Sequence, residues 1–91
     1  MQLKWTGKAL SDLVRLYNFL APVNKQAAAR IAQALAAAPA NMLVNTRIGE
    51  KLDEFDPREV RRILVDKYEI RYEMQESTTY VLRMWHTREE R

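Results

Sequence analysis

There is no cysteine in these 91 residues, only one histidine and only two glycines. Without cysteine there is neither a disulfide framework nor thiol chemistry, which suits a reducing cytosol. One histidine argues against a structural zinc site, which takes four Cys, His or carboxylate ligands, and no metal or other cofactor is expected. Two glycines leave little material for a phosphate cradle, and no P-loop or nucleophile-elbow pattern occurs. No apolar run approaches the roughly 20 residues that span a bilayer, and Met1-Gln2-Leu3-Lys4-Trp5 lacks a signal-peptide core. The expectation is a cytoplasmic protein with no membrane contact. No charge sign dominates either: 15 Lys and Arg stand against 12 Asp and Glu, for a net charge of +3. From Arg58 onward eight basic residues interleave with seven acidic ones. That is not the single-sign stripe of a dedicated nucleic-acid binder, although it leaves room for a local basic patch.

What is present is a globular composition, 47% apolar and 30% charged, in a chain that makes one domain over residues 1–91 with a limited core. Leu3 and Trp5 alternate with Gln2 and Lys4 as a short strand. Thr6 is placed to cap a helix in which Leu10, Leu13, Val14, Tyr17 and Leu20 form one apolar stripe, ended by Pro22. Asn24 opens a second helix, Lys25 to Ala38, with Ala28, Ile31, Leu35 and Ala38 inward and Pro39 as its stop. The short break between them makes an αα-hairpin. Residues 40–57 are irregular, with a turn at Gly49 and anchors at Ile48, Leu52 and Phe55. After Pro57 the period becomes two. Ile63 and Val65 share one face of a strand. Tyr68, Ile70, Tyr72 and Met74 oppose Glu69, Arg71, Glu73 and Gln75 on the next. Tyr80, Leu82 and Met84 oppose Val81, Arg83 and Trp85 on the last. The short connections demand an antiparallel meander. The fold class is α+β, in the order β-α-α-β-β-β, with the hairpin packed on a small antiparallel sheet.

Several residues carry possible chemistry. His86 is of the type that titrates near neutrality, either as a general acid/base or as a plain capping or packing group at a strand end. Arg61, Arg62, Arg71, Arg83, Arg88 and Arg91 have the guanidinium fork that clamps phosphates or an acidic protein surface. The plainer reading, cross-strand ion pairs, covers Arg71, while Arg83, Arg88 and Arg91 read as functional. Trp85 beside Arg is either an interface anchor or is covered by the last residues of the chain. Glu50, Asp53, Glu54 and Asp56 read as a solvated acidic loop. Apolar surface around Leu16, Phe19, Leu20 and Ile31 forms a groove for a partner helix.

The element order, with Lys67-Tyr68-Glu69-Ile70-Arg71-Tyr72 and Val81-Leu82-Arg83-Met84-Trp85-His86-Thr87-Arg88-Glu89, resembles the RelE/ParE superfamily of type II toxin–antitoxin toxins over nearly the whole chain. That resemblance implies a toxin held in a hetero-oligomer by an antitoxin, whose C-terminal segment wraps it. RelE-like members are ribosome-dependent endoribonucleases that cut mRNA, using basic residues, an arginine just after the position of Tyr68, and a C-terminal histidine or tyrosine. ParE-like members poison DNA gyrase. Here Glu69 stands at that arginine position, and a carboxylate there opposes stabilisation of a phosphate transition state. The ParE-like branch is therefore favoured. Arg83, Trp85, His86, Arg88 and Arg91 become the target-binding set, and Leu16, Phe19, Leu20 and Ile31 the antitoxin-binding set. The alternative is a ribosome-bound mRNA interferase, with Arg61, Arg62 and Arg71 holding phosphate and His86 as acid/base.

Overall fold

Two side-chain caps start the helices. The structure, a computed structural model, describes residues 2–89. Strand β1 (Gln2–Trp5) gives way to helix α1 (Gly7–Leu20) at Thr6, whose hydroxyl accepts the Ala9 N–H at 3.1 Å. Asn24 accepts the Ala27 N–H at 3.0 Å and opens α2 (Lys25–Met42). In each case the oxygen satisfies one of the donors that a helix leaves unpaired at its start. There follow β2 (Glu50–Lys51), a single 3-10 turn at Asp53–Phe55, β3 (Glu59–Val65), β4 (Tyr68–Gln75) and β5 (Thr78–His86). The described strands form one sheet in the order β1-β5-β4-β3-β2. Strands β3, β4 and β5 are the expected antiparallel meander. Strand β1 lies parallel to β5, with the helical hairpin and strands β2 to β4 between them in the chain, so the sheet is mixed and not wholly antiparallel. The two tight hairpins begin with Asp66 (φ 55°) and Glu76 (φ 53°) in the left-handed region, a backbone that short hairpins require.

The core lies between the hairpin and one sheet face, where Ala9, Leu16 and Leu35 pack on Tyr68, Ile70, Val81 and Met84. Four local expectations are corrected. On α1 the buried residues are Ala9, Asp12 and Leu16, whereas Leu10 and Val14 are 51% and 59% exposed. The helix is rotated because Asp12 belongs inside, where it meets β5. Pro39 does not end α2. It sits buried within the helix beside Leu35 and Met42, so it joins the inward stripe. That burial offsets the roughly 3 kcal/mol an interior proline costs. Residues 40–57 are not wholly irregular, since Glu50 and Lys51 pair with Arg62 and Arg61. Finally, the pairing jumps from Arg71↔Arg83 to Tyr72↔Val81, a bulge that leaves Leu82 as the extra residue. Val81 and Met84 therefore both reach the core, and the simple alternation expected for β5 fails.

Gly49 is a point of close approach. Its N–H donates to the Tyr72 hydroxyl at 3.0 Å, and that hydroxyl donates to the Thr46 carbonyl at 2.8 Å. A Cβ at Gly49 would lie 2.5 Å from the Tyr72 hydroxyl and 2.6 Å from the Arg62 carbonyl. Gly49→Ala should therefore cost about 2 kcal/mol in urea unfolding. Adding Tyr72→Phe should not restore stability, because the Arg62 carbonyl stays in place. A neutral Gly49→Ala would refute this packing.

Candidate functional site

Strand β1 stops opposite Val81, so the last residues of β5 have no strand on that side. Side chains finish the edge instead. The Thr6 hydroxyl donates to the Leu82 carbonyl at 3.0 Å. Next, the Asp12 carboxylate accepts the Met84 N–H at 3.0 Å, and beyond it the Glu89 carboxylate accepts the His86 N–H at 3.1 Å. Asp12 is only 4% exposed. It also receives a two-pronged Arg83 contact, Nε at 2.7 Å and Nη2 at 3.2 Å, and a longer one from Arg15 at 3.3 Å.

The sheet face away from the helices is chemically polar yet closed. Glu69 is fully buried and Glu73 is 5% exposed. Arg62 and Arg71 hold Glu69 at 3.3 and 3.1 Å, and Arg58 grips Glu73 at 3.0 and 2.8 Å. The guanidinium of Arg71 lies 4.7 Å from the Trp85 ring and 5.6 Å from that of Phe55, and Arg83 covers Trp85 from 5.1 Å. Trp85 is consequently buried beneath two arginines. The Nε of Arg71 is buried with no acceptor, in keeping with a side chain held by stacking as much as by hydrogen bonds.

At the other side of the β5 terminus a cleft of about 580 Å³ opens between α1 and the sheet. Leu16, Phe19 and Leu20 of α1 form one wall; Tyr68, His86, Arg88 and Glu89 form the other, with Arg15 at the rim. The Tyr68 and His86 rings meet edge-on with centroids 5.1 Å apart, and the His86 Nδ1 accepts the Arg88 N–H at 3.1 Å. Burial, then the nearby Asp66 and Glu89 charges, push the Tyr68 phenol up, so it is neutral at physiological pH. Ile31 lies in an adjoining hollow on the far side of Tyr68, with Arg30, Val65 and Asp66.

The expected residues thus separate. Leu16, Phe19 and Leu20 share a cleft with His86 and Arg88, whereas Arg83 and Trp85 belong to the buried stack on the opposite face. Arg61 bonds to Glu59 and to the Gly49 carbonyl, near β2. Arg62 and Arg71 are paired on the face of Glu69, opposite to the face where His86 meets Tyr68. Arg91 lies outside the described residues. Asp12, Arg15 and Glu89 were not singled out from sequence. The one signal for Asp12 was a lone acid between Ala9 and Leu16 at helical spacing. Among the described residues no group of three or more His, Cys, Asp or Glu side chains could hold a metal ion, and no helix is long and apolar enough to cross a membrane.

A family model described as the ParE toxin of type II toxin–antitoxin system, parDE, matches residues 3–91. The chain belongs to the ParE toxin family. Among solved structures, one titled as the chromosomal ParDE TA system from P. aeruginosa is similar, with a TM-score of 0.79 and 20% sequence identity over 94% of this chain and 95% of that one. At that identity the likeness shows the fold. No curated protein matches in sequence. The toxin's functional class, and an antitoxin as its partner, follow from the family.

The buried carboxylates of this toxin set its acid sensitivity. Burial alone would raise the Asp12 pKa. The hydrogen bonds from Arg83, Met84 N–H and Arg15, with the Arg83 charge, outweigh that and hold it below the ordinary value. Glu73 is lowered chiefly by its hydrogen bonds from Arg58. Groups held low in the folded state contribute stability that is complete above their unfolded pKa, about 4, and is lost as pH falls through the folded value. Stability in urea should be level from pH 7 to about pH 5 and decline below about pH 4. Asp12→Ala should cost about 3 kcal/mol, since it strands the Met84 N–H and removes the partner of Arg83. Asp12→Asn should flatten part of the acid decline. A wild-type toxin that gains stability on acidification would contradict these ion pairs.

Proposed function

We propose that this toxin acts by binding DNA gyrase and not by cutting RNA, and that its antitoxin neutralises it by lying along the hairpin at Leu16, Phe19, Leu20 and Ile31. The observation that carries the reading is the placement of the charges. A phosphoryl-transfer site needs cations converging on the reacting phosphate beside an acid/base. Here Arg62 and Arg71 are spent on the fully buried Glu69, on the sheet face away from His86. Glu69 occupies the position where the ribonuclease pattern has arginine.

The target surface proposed comprises Arg83, Trp85, His86, Arg88 and Arg91. Within it Arg88 is exposed and His86 partly so, and these make the contact. Arg83 and Trp85 sit beneath as support, since their surfaces are largely used within the fold. Because His86 and Arg88 share the cleft with Leu16, Phe19 and Leu20, an antitoxin segment seated there also covers the target contact.

Pulse-labelling of DNA and protein synthesis minutes after the toxin is induced alone separates the readings. Gyrase poisoning stops DNA synthesis first; an mRNA interferase stops translation first, and that outcome would overturn the proposal. Arg88→Ala should weaken target binding by about thirtyfold, the loss typical of one interface arginine worth about 2 kcal/mol. His86→Ala should reduce toxicity only in part, whereas the ribonuclease reading requires it to collapse.

A further inference from the structure

Four successive backbone N–H groups close β5, and each has its own acceptor. The His86 N–H goes to the Glu89 carboxylate at 3.1 Å and the Thr87 N–H to the Lys67 carbonyl at 2.9 Å. The Arg88 N–H goes to His86 Nδ1 at 3.1 Å and the Glu89 N–H to the His86 carbonyl at 3.0 Å. The turn is thus bonded within itself and, on its sheet side, to the β3–β4 turn. On its other side it is tied to α1 by Arg15. The Arg15 Nη1 meets the second Glu89 oxygen at 2.7 Å, while its Nη2 lies 3.3 Å from Asp12 and 3.4 Å from the Met84 carbonyl. One planar guanidinium therefore spans the strand edge and the turn beyond it, which the point charge of a lysine does not do. The Arg15 and Glu89 side chains are 44% and 29% exposed, and an ion pair so open to water adds little to stability. What it fixes is direction.

We infer that Arg15 is a positioning residue for the target contact: by gripping Glu89 it holds the turn that ends β5, and so sets the direction in which Arg88 leaves the surface. This role rests on the reading that Arg88 and His86 meet the target, and adds how α1 prepares them. Arg15 itself need not touch the target. Without it Glu89 keeps the His86 N–H, but no other hydrogen bond of this network joins the turn to the helix, and the exposed Arg88 samples more directions. A partner then finds the binding geometry in only a fraction of the molecules, and affinity falls by that fraction. Arginine is a side chain for which such ordering matters, because immobilising its many rotamers opposes binding.

The test is a double-mutant cycle on the full-length toxin, read by binding to purified DNA gyrase and by the heteronuclear NOE of the Arg88 backbone amide. Arg15→Ala and Glu89→Ala should each weaken binding about fivefold, as when roughly one molecule in five holds the competent turn. The double variant should match either single one, because the two side chains act through one contact. Arg15→Lys should fall between Arg15→Ala and wild type. The NOE should drop in step with affinity, while urea midpoints stay close to wild type. Additive losses would mean that Arg15 touches the target itself, and would overturn the inference. So would binding or an Arg88 NOE that Arg15→Ala leaves unchanged. A wild-type toxin that fails to bind gyrase would count against gyrase as the target instead. The same cycle, read as growth arrest after induction and by the NOE, then decides the role of Arg15.

Discussion

Along the last residues of β5 there is no neighbouring strand, and the carboxylate of Asp12 does the work that a strand would do. A buried N–H without an acceptor costs about 1–3 kcal/mol, and Met84 would have one. A water cannot easily serve where the edge is covered by α1. Asp12 accepts that N–H, and its remaining capacity fixes Arg83, which in turn lies over Trp85, with Arg71 on the same ring. One side chain on the inner face of a helix therefore ties α1 to the sheet edge and, through the edge, to the arginine layer on the far face. The rotation of α1 follows from the same contact. Placing Leu10 and Val14 inward would remove Asp12 from Met84, so the helix leaves two aliphatic residues half exposed.

The far face shows how a small domain closes a sheet without a second layer of helices. The three buried carboxylates among the described residues, Asp12, Glu69 and Glu73, each meet at least one guanidinium. Such pairs add little net stability compared with an apolar replacement, yet leaving one partner alone is costly. Their contribution is geometric. Arginine stems and planar heads cover apolar surface while the carboxylates beneath fix where each head lies. Phe55 and Trp85 fill the spaces between heads, and this layer takes the place of a second core.

Legibility followed the range of the interaction. Caps at Thr6 and Asn24 are local events between a side chain and an N–H three residues on, and they could be read directly. So could the meander, because the apolar–polar alternation along Tyr68–Gln75 marks the face that packs on the helices. Pro39 could not: whether an interior proline is tolerated depends on what it packs against, which is a tertiary fact. The bulge at Leu82 is equally invisible, since shifting Val81 and Met84 to one face requires knowing the pairing with Tyr72 and Ile70. For the site, the residue types at the end of β5 were readable, but their division between a cleft and a buried stack was not. Arg83 and Trp85 look like their neighbours His86 and Arg88 in sequence. The strand sends alternate side chains to opposite faces, and the partners that close one of them, Asp12 on Arg83 and Arg71 over Trp85, come from distant parts of the chain.

Net charge conceals this division. A pI near 9.4 suggests a uniformly basic surface. The sheet arginines, however, are neutralised at contact distance, and a pair of opposite charges a few ångströms apart has little field a Debye length away. The cations without an ion pair among the described residues include Lys4, Lys8, Lys25, Arg30, Lys67 and Arg88, and Asp66 stands beside Arg30 in the hollow by Tyr68. An approaching acidic chain therefore meets little free positive charge on the far face, where Arg58, Arg62, Arg71 and Arg83 already hold carboxylates. The far face has used its positive charge to hold itself closed, so the formal charge of the chain overstates what that face offers a partner.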